Sequence, residues 1–304
     1  MPDPLVSSGR VPIAYRDFGG SGPSLLLLHG AGGNLAQLTT LAEELRQAYR
    51  VVGVDLRGHG RSGDGPWRWD EVLDDLAAVA DGLGLDRPAV VGVSLGGMLA
   101  ALWAQRHPEC PGAVSLDGNP PPSRPEQLAG MDPGQAVTAL AELRAVFDGM
   151  AAMMAEPLTA ERLAAAVAGQ RAMARRYGAD PADWVAAFER NLVPCDDGRN
   201  LLRPDPELTV RLREAMGSLD LVPAYRDARC PLLLVLATED LPEQEPFSEV
   251  YAAYRRAIRA RLAAVDNPRL RVLELAGASH AMVAERPADL AAIVTDFLTE
   301  AAYG

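Results

Sequence analysis

The segment Gly92-Val93-Ser94-Leu95-Gly96 has the clearest chemical potential in this chain. A G-x-S-x-G sequence between a strand and a helix makes a sharp turn that lifts a serine hydroxyl above a sheet edge, where it can attack a carbonyl. In 304 residues with 28 glycines and 11 serines, the pattern is expected about 0.1 times by chance. Its context matters more. An apolar run, Pro88 to Val93, enters the turn and a helical run, Gly96 to Arg106, leaves it, as the motif requires.

A serine hydroxyl is a weak nucleophile until a base takes its proton, and a third group must hold that base. Four histidines are available. His107 precedes a proline at the end of the helix that begins beside Ser94, so it is expected at the far edge of the sheet as a helix stop. His29 and His59 sit in Gly-rich turns and are suited to orienting loops. His280 ends Ala276-Gly277-Ala278-Ser279-His280, just past the strand expected at Leu270 to Leu275. That glycine-containing turn would bring it over the same sheet edge as Ser94, which makes it the expected base.

The acid need only lie between Ser94 and His280 in chain order. Asp240 is favoured because it follows the run Leu232 to Ala237, whose turn should neighbour the strand before His280. Glu239 would serve if that turn were one residue tighter, and Asp117, ending the strand after the serine's helix, could reach the histidine from the other side. A solvated loop acid or a helix cap is the competing reading for each. Acyl transfer also needs N–H donors aimed at the developing oxyanion. The N–H of Ala31, in the turn His29-Gly30-Ala31-Gly32-Gly33, and that of Leu95 are the expected pair. The glycine spacing of that turn fits neither dinucleotide nor P-loop phosphate binding.

The elements that must position these groups alternate as βαβ units require, which predicts a mainly parallel sheet flanked by helices, an α/β fold. Strands are expected at Val11–Asp17, Ser24–His29, Val51–Asp55, Ala89–Val93, Ala113–Asp117, Leu232–Ala237 and Leu270–Leu275. Helices are expected at Leu35–Arg46, Trp69–Leu83, Gly96–Arg106, Pro246–Ala264 and Pro287–Ala301. After Gly118 a Pro-rich stretch leads into helical spacing at Gln135–Ala155, Thr159–Tyr177, Pro181–Asn191 and Pro206–Leu219, with no strand evident. The economical division is a core of residues 1–117 and 224–304 with an all-helical insert, 118–223, packed outside the sheet at its carboxyl edge.

Together His29-Gly30, the stretch Asp55-Leu56-Arg57-Gly58-His59-Gly60-Arg61-Ser62, Gly92-Val93-Ser94-Leu95-Gly96-Gly97 and Gly277-Ala278-Ser279-His280 resemble the α/β-hydrolase superfamily over nearly the whole chain. The resemblance implies nucleophile Ser94, acid Asp240 and base His280, with the insert as a cap domain and no cofactor or metal. Members that open epoxides or displace halide carry Asp where this chain has Ser94, so neither activity is expected. Ala237 stands where the strand before the acid often ends in glycine.

The expected activity is hydrolysis of a carboxylic ester, thioester or lactone of a lipophilic small molecule through an acyl-enzyme. The alternatives are a carbon–carbon bond hydrolase or lyase acting on a carbonyl substrate, and a non-catalytic small-molecule receptor, which fold analogy does not separate. The insert holds six of the nine methionines, and Met150, Met153, Met154 and Met173 could wall an apolar pocket together with His29. Core packing at helical spacing is the competing reading for the methionines. An acidic acyl carrier protein could dock on Arg255, Arg256, Arg259 and Arg261, although that helix runs away from the site and a solvated face is favoured.

Composition narrows the partners further. A net charge of −12 with no lysine argues against nucleic acid, a lysine Schiff base and a P-loop together. Three cysteines without close spacing, Cys110, Cys195 and Cys230, fit reduced thiols rather than a disulfide framework or a zinc knuckle. No basic leader followed by an apolar stretch is seen at Met1 to Arg10, and no apolar run is long enough to span a bilayer. A cytoplasmic protein without a membrane span is expected.

Overall fold

The computed structural model of the protein describes residues 3–7 and 11–303, so the leader expectation for Met1 to Arg10 falls partly outside the described residues. Eight strands form one sheet: β1 (Leu5–Ser7), β2 (Pro12–Gly19), β3 (Ser24–Leu28), β4 (Arg50–Val54), β5 (Ala89–Val93), β6 (Ala113–Leu116), and, after two strands of a separate hairpin, β9 (Leu232–Ala237) and β10 (Leu270–Leu275). Their order is β1-β2-β4-β3-β5-β6-β9-β10. β1 with β2 and β2 with β4 pair antiparallel, and every other neighbour pair is parallel.

A parallel strand covered on both faces must be apolar at successive positions, not alternate ones. Leu25 to Leu28 shows the result. Leu26 and Leu28 join one buried cluster with Val52, Val54 and Val90, packed under α2 (Trp69–Gly82) and α3 (Leu95–Arg106). Leu25 and Leu27 join a second cluster with Val51, Val91 and Val114, under α1 (Thr39–Leu45) and α11 (Pro287–Tyr303). Among the described residues, no helix is long and apolar enough to cross a membrane.

The sheet neighbours β6 and β9 are separated in sequence by the insert, which contains α4 (Pro133–Ala155), α5 (Ala160–Arg176), α6 (Pro181–Arg190) and α7 (Pro206–Ser218). Each is opened as its sequence predicts. Asp132, Thr159, Asp180 and Asp205 cap the four N-termini through their side-chain oxygens, and proline occupies the first turn of three of them. The all-helical expectation needs correction: β7 (Leu192–Pro194) and β8 (Asn200–Leu202) form an antiparallel hairpin. Three-residue strands leave too short an alternation to register in sequence, and the turn signal Asp196-Asp197-Gly198 is what marks them. Leu208 and Leu212 of α7 join the first cluster, as do Ala224 and Tyr225 of the following α8 (Val222–Asp227). Helix α9 (Ser248–Ala263) connects β9 to β10, and the short α10 (Met282–Glu285) precedes α11.

Candidate active site

Ser94 sits between β5 and α3 with φ 53° and ψ −115°. A non-glycine residue in this left-handed region carries strain of about 1–3 kcal/mol and persists only where its surroundings force it. Here they do. A Cβ at Gly92 would lie 2.1 Å from the Gly96 carbonyl oxygen, and one at Gly96 would lie 2.5 Å from that of Leu28. Only glycine at both positions allows the turn to close against β3, and the motif's two glycines are therefore a packing requirement.

His280 lies in the loop after β10. Its Nε2 is 3.1 Å from Ser94 Oγ, and its Nδ1 is 2.6 Å from Asp117 Oδ2. Asp117 directly follows β6 with φ 47°, and its other carboxylate oxygen accepts the Ala237 N–H at 3.1 Å. The backbone of β9 thus fixes the carboxylate that faces the imidazole. Burial disfavours charge on His280, but the hydrogen bond and negative charge of Asp117 outweigh it and raise the imidazole above its ordinary value.

The expected contact between Asp240 and His280 is not formed. Asp240 is paired with the Arg255 guanidinium instead, and Glu239 is exposed with its N–H donated to the Ala278 carbonyl at 3.0 Å. The Thr238 N–H donates to the same carbonyl, also at 3.0 Å, so the turn after β9 is drawn onto the 277–278 turn and carries both acids past the imidazole.

Behind the serine, the Gly30 to Gly33 turn is held from below. Gly30 and Ala31 share one peptide unit, so a carbonyl held on one side aims the N–H to the other. The Gly30 carbonyl accepts from His29 Nδ1 at 2.7 Å and from the Gly33 N–H at 3.0 Å, and the Ala31 N–H points away from both. Gly30 lies against the serine: a Cβ there would be 3.2 Å from Ser94 Cβ. The Leu95 N–H is the first of α3, where no carbonyl of the helix can reach it.

His29 does not line a pocket, contrary to expectation. It is fully buried, and its Nε2 accepts the Leu56 N–H at 3.0 Å, so both ring nitrogens are spent on backbone. Burial keeps it neutral by lowering its pKa. His59, packed beside it at 5.1 Å between ring centroids, accepts the Gly32 N–H at 3.2 Å and is pushed down to about 3 by burial and by the neighbouring His29. The two rings brace the turn, which is the loop-orienting role their positions suggest.

Met150 and Met153 are 54% and 67% exposed, so their side chains face solvent and form no enclosed wall, while Met154 and Met173 are half-buried. The arginines of α9 are engaged within the chain: Arg255 with Asp240, Arg256 with the Ala129 carbonyl, Arg259 with Glu274 and Arg261 with Asp220. Asn34, Arg190 and Asn191 carry no motif that marks them in the sequence. These form a buried polar group that joins the insert to the core beside the Gly30 to Gly33 turn.

The chain belongs to the alpha/beta hydrolase family, whose family model matches residues 25–293. It is 28% identical over 298 residues to a 2-(acetamidomethylene)succinate hydrolase of Mesorhizobium japonicum, covering 96% of this chain and 94% of that protein. A crystal structure of E-2-(acetamidomethylene)succinate hydrolase superposes with a TM-score of 0.69 at 24% identity, covering 97% of this chain and 98% of the other. The enol-lactonase from Burkholderia xenovorans LB400 superposes with a TM-score of 0.63, also at 24% identity, over 97% of this chain and all of the other.

Proposed function

We propose that the protein is a serine hydrolase that cleaves a carboxylic ester, thioester or lactone of a small molecule through an acyl-enzyme. The observation that carries this reading is the continuous line Asp117, His280, Ser94, with contacts of 2.6 and 3.1 Å. Ser94 Oγ attacks the carbonyl while His280 Nε2 takes its proton, and Asp117 holds the ring with Nδ1–H toward itself and stabilises the imidazolium that forms. The Ala31 and Leu95 N–H groups receive the oxyanion. His280 then returns the proton to the leaving oxygen or sulfur and activates the water that releases the acid.

The insert serves as the cap that shapes the acyl site. Its support is that Arg190, Asn191 and Arg203 bond to Asp55, Gly32 and Gly60, all in loops at the carboxyl edge of the sheet. A small-molecule substrate fits better than delivery by a carrier protein on α9, whose arginines are already paired. Labelling with a fluorophosphonate tests the reading together with turnover of short and long p-nitrophenyl esters. The wild-type protein takes one label on Ser94 and turns over esters, and Ser94→Ala does neither while keeping its circular dichroism. An unlabelled, inactive wild type would overturn the hydrolase reading in favour of a non-catalytic small-molecule receptor.

A further inference from the structure

Asn191 follows α6 and is buried, although it belongs to the insert and its partners belong to the core. Its side-chain Nδ2 donates to the Gly32 carbonyl at 2.9 Å. Its Oδ1 accepts from the Gly60 N–H at 3.1 Å and from Asn34 Nδ2 at 3.0 Å. One carboxamide therefore ties together the turn after β3, the loop after β4 and the end of α6. Asn34 completes the tie by donating to the Ala187 carbonyl at 2.7 Å.

The neighbours of Asn191 hold it where it is. Arg190 donates to Asp55 Oδ2 through Nε and Nη2 at 2.9 and 2.7 Å, and the Asn191 carbonyl accepts the Arg203 N–H at 2.9 Å. Gly32 has φ +72°. Its N–H is held by His59 from the core and its carbonyl by Asn191 from the insert. A glycine free to rotate is thus clamped at both of its peptide units, one residue after the Ala31 N–H. Removing the insert's half of that clamp frees the turn on one side only.

We infer that Asn191 is a positioning residue through which the insert sets the oxyanion turn, so that docking of the end of α6 and the aim of the Ala31 N–H form one coupled state. The inference rests on the acyl-transfer reading of Ser94. It implies that the insert does more than wall the acyl site: releasing its Asn191 contact weakens stabilisation of the tetrahedral anion before it weakens substrate binding, whereas ties of the insert elsewhere on the core carry stability alone. By reciprocity, an adduct that orders the turn must also tighten α6 against the core.

The test compares Asn191→Asp, which keeps the acceptor and loses the donor to Gly32, with Arg203→Met. Arg203 joins the insert to the core through the Gly60 and Ser62 carbonyls and does not touch the turn. Losing an oxyanion donor outright costs about 10²–10³ in kcat, so a misaimed one is expected to cost about 10–100-fold. For p-nitrophenyl butyrate, Asn191→Asp should lower kcat by that factor with KM nearly unchanged. The Ki of an alkyl trifluoromethyl ketone, which forms a tetrahedral anion on the serine, should rise in parallel. Arg203→Met should lower the melting temperature without changing the ratio of Ki to KM.

Hydrogen exchange on the wild-type protein gives a readout that does not depend on the variants folding. Adding the ketone should slow exchange in the peptide covering residues 181–192 as well as in the turn. Protection of the turn alone, or an unchanged ratio of Ki to KM in a folded Asn191→Asp, overturns the coupling. A wild type that neither labels on Ser94 nor binds the ketone overturns the acyl-transfer reading itself, a result distinct from the other two.

Discussion

Replacing Asp117 by asparagine isolates the contribution of one negative charge to a site whose geometry is otherwise kept. The carboxylate lies 2.6 Å from His280 Nδ1, which puts the centres of charge about 4 Å apart once the ring is protonated. At an effective dielectric near 20 that pair is worth about 4 kcal/mol. The His280 side chain is 40% exposed and that of Asp117 17%, so solvent screens the attraction, and about 2–3 kcal/mol is a fair allowance. At about 1.4 kcal/mol per decade, kcat should fall by at least about 30-fold. An amide can also present its NH2 to Nδ1 and hold the wrong tautomer, which takes the loss toward about 10⁴-fold. Asp240→Asn removes only a partly exposed ion pair with Arg255, worth about 1 kcal/mol or less, and should leave kcat within about threefold. Steady-state turnover of p-nitrophenyl acetate by both variants, compared on the high-pH plateau of each profile, decides the matter. Equal losses, or a larger loss for Asp240→Asn, would refute the assignment of the acid.

On the proposed reading the neutral form of His280 is the base, so kcat/KM should rise with pH through a midpoint above the ordinary histidine value of 6.5, and Asp117→Asn should move that midpoint down. The same raised value acts on stability in the opposite sense: the contribution of the His280 and Asp117 pair is complete below pH 6.5 and is lost as pH rises through the folded-state value. His59 behaves inversely, since its value falls from 6.5 to about 3 on folding. It costs nothing above 6.5, and urea titrations should show stability falling by about 1.4 kcal/mol per pH unit below that, with the slope reduced in His59→Gln. Gly92→Ala, whose Cβ would lie 2.1 Å from a backbone oxygen, should lose fluorophosphonate labelling altogether or fail to fold. A labelled, folded Gly92→Ala would contradict the steric account of the turn.

Leu232–Ala237 was expected with the bounds it has because burial on both faces writes an unbroken apolar run. Leu270–Leu275, mostly exposed at the edge of the sheet and carrying Arg271 and Glu274, was also expected with its bounds. Ser94 and His280 were legible because each follows a strand through a glycine-containing turn. The carboxylate that contacts His280 was not, because the choice among Asp117, Glu239 and Asp240 depends on where two turns meet in space. Two backbone hydrogen bonds to the Ala278 carbonyl decide it, and no side chain announces them. The Asn191 contacts were invisible for the same reason, since they join positions 131 and 159 residues apart. The hairpin β7–β8 escaped because three residues are too few for alternation to be distinguished from chance.

The insert leaves from β6 and returns into β9, which lie side by side, so the chain makes its detour inside a ladder of hydrogen bonds. Ser94 and Asp117 lie within the first 117 residues, whereas the Ala237 N–H that holds the Asp117 carboxylate comes 120 positions after it and the imidazole beside Ser94 186 positions after the serine. On the proposed acyl-transfer reading, a chain that stops short of the residues beyond β10 has the serine but lacks the group that would take its proton. In chain order, the parts that the proposed reaction needs are therefore complete only after the whole insert.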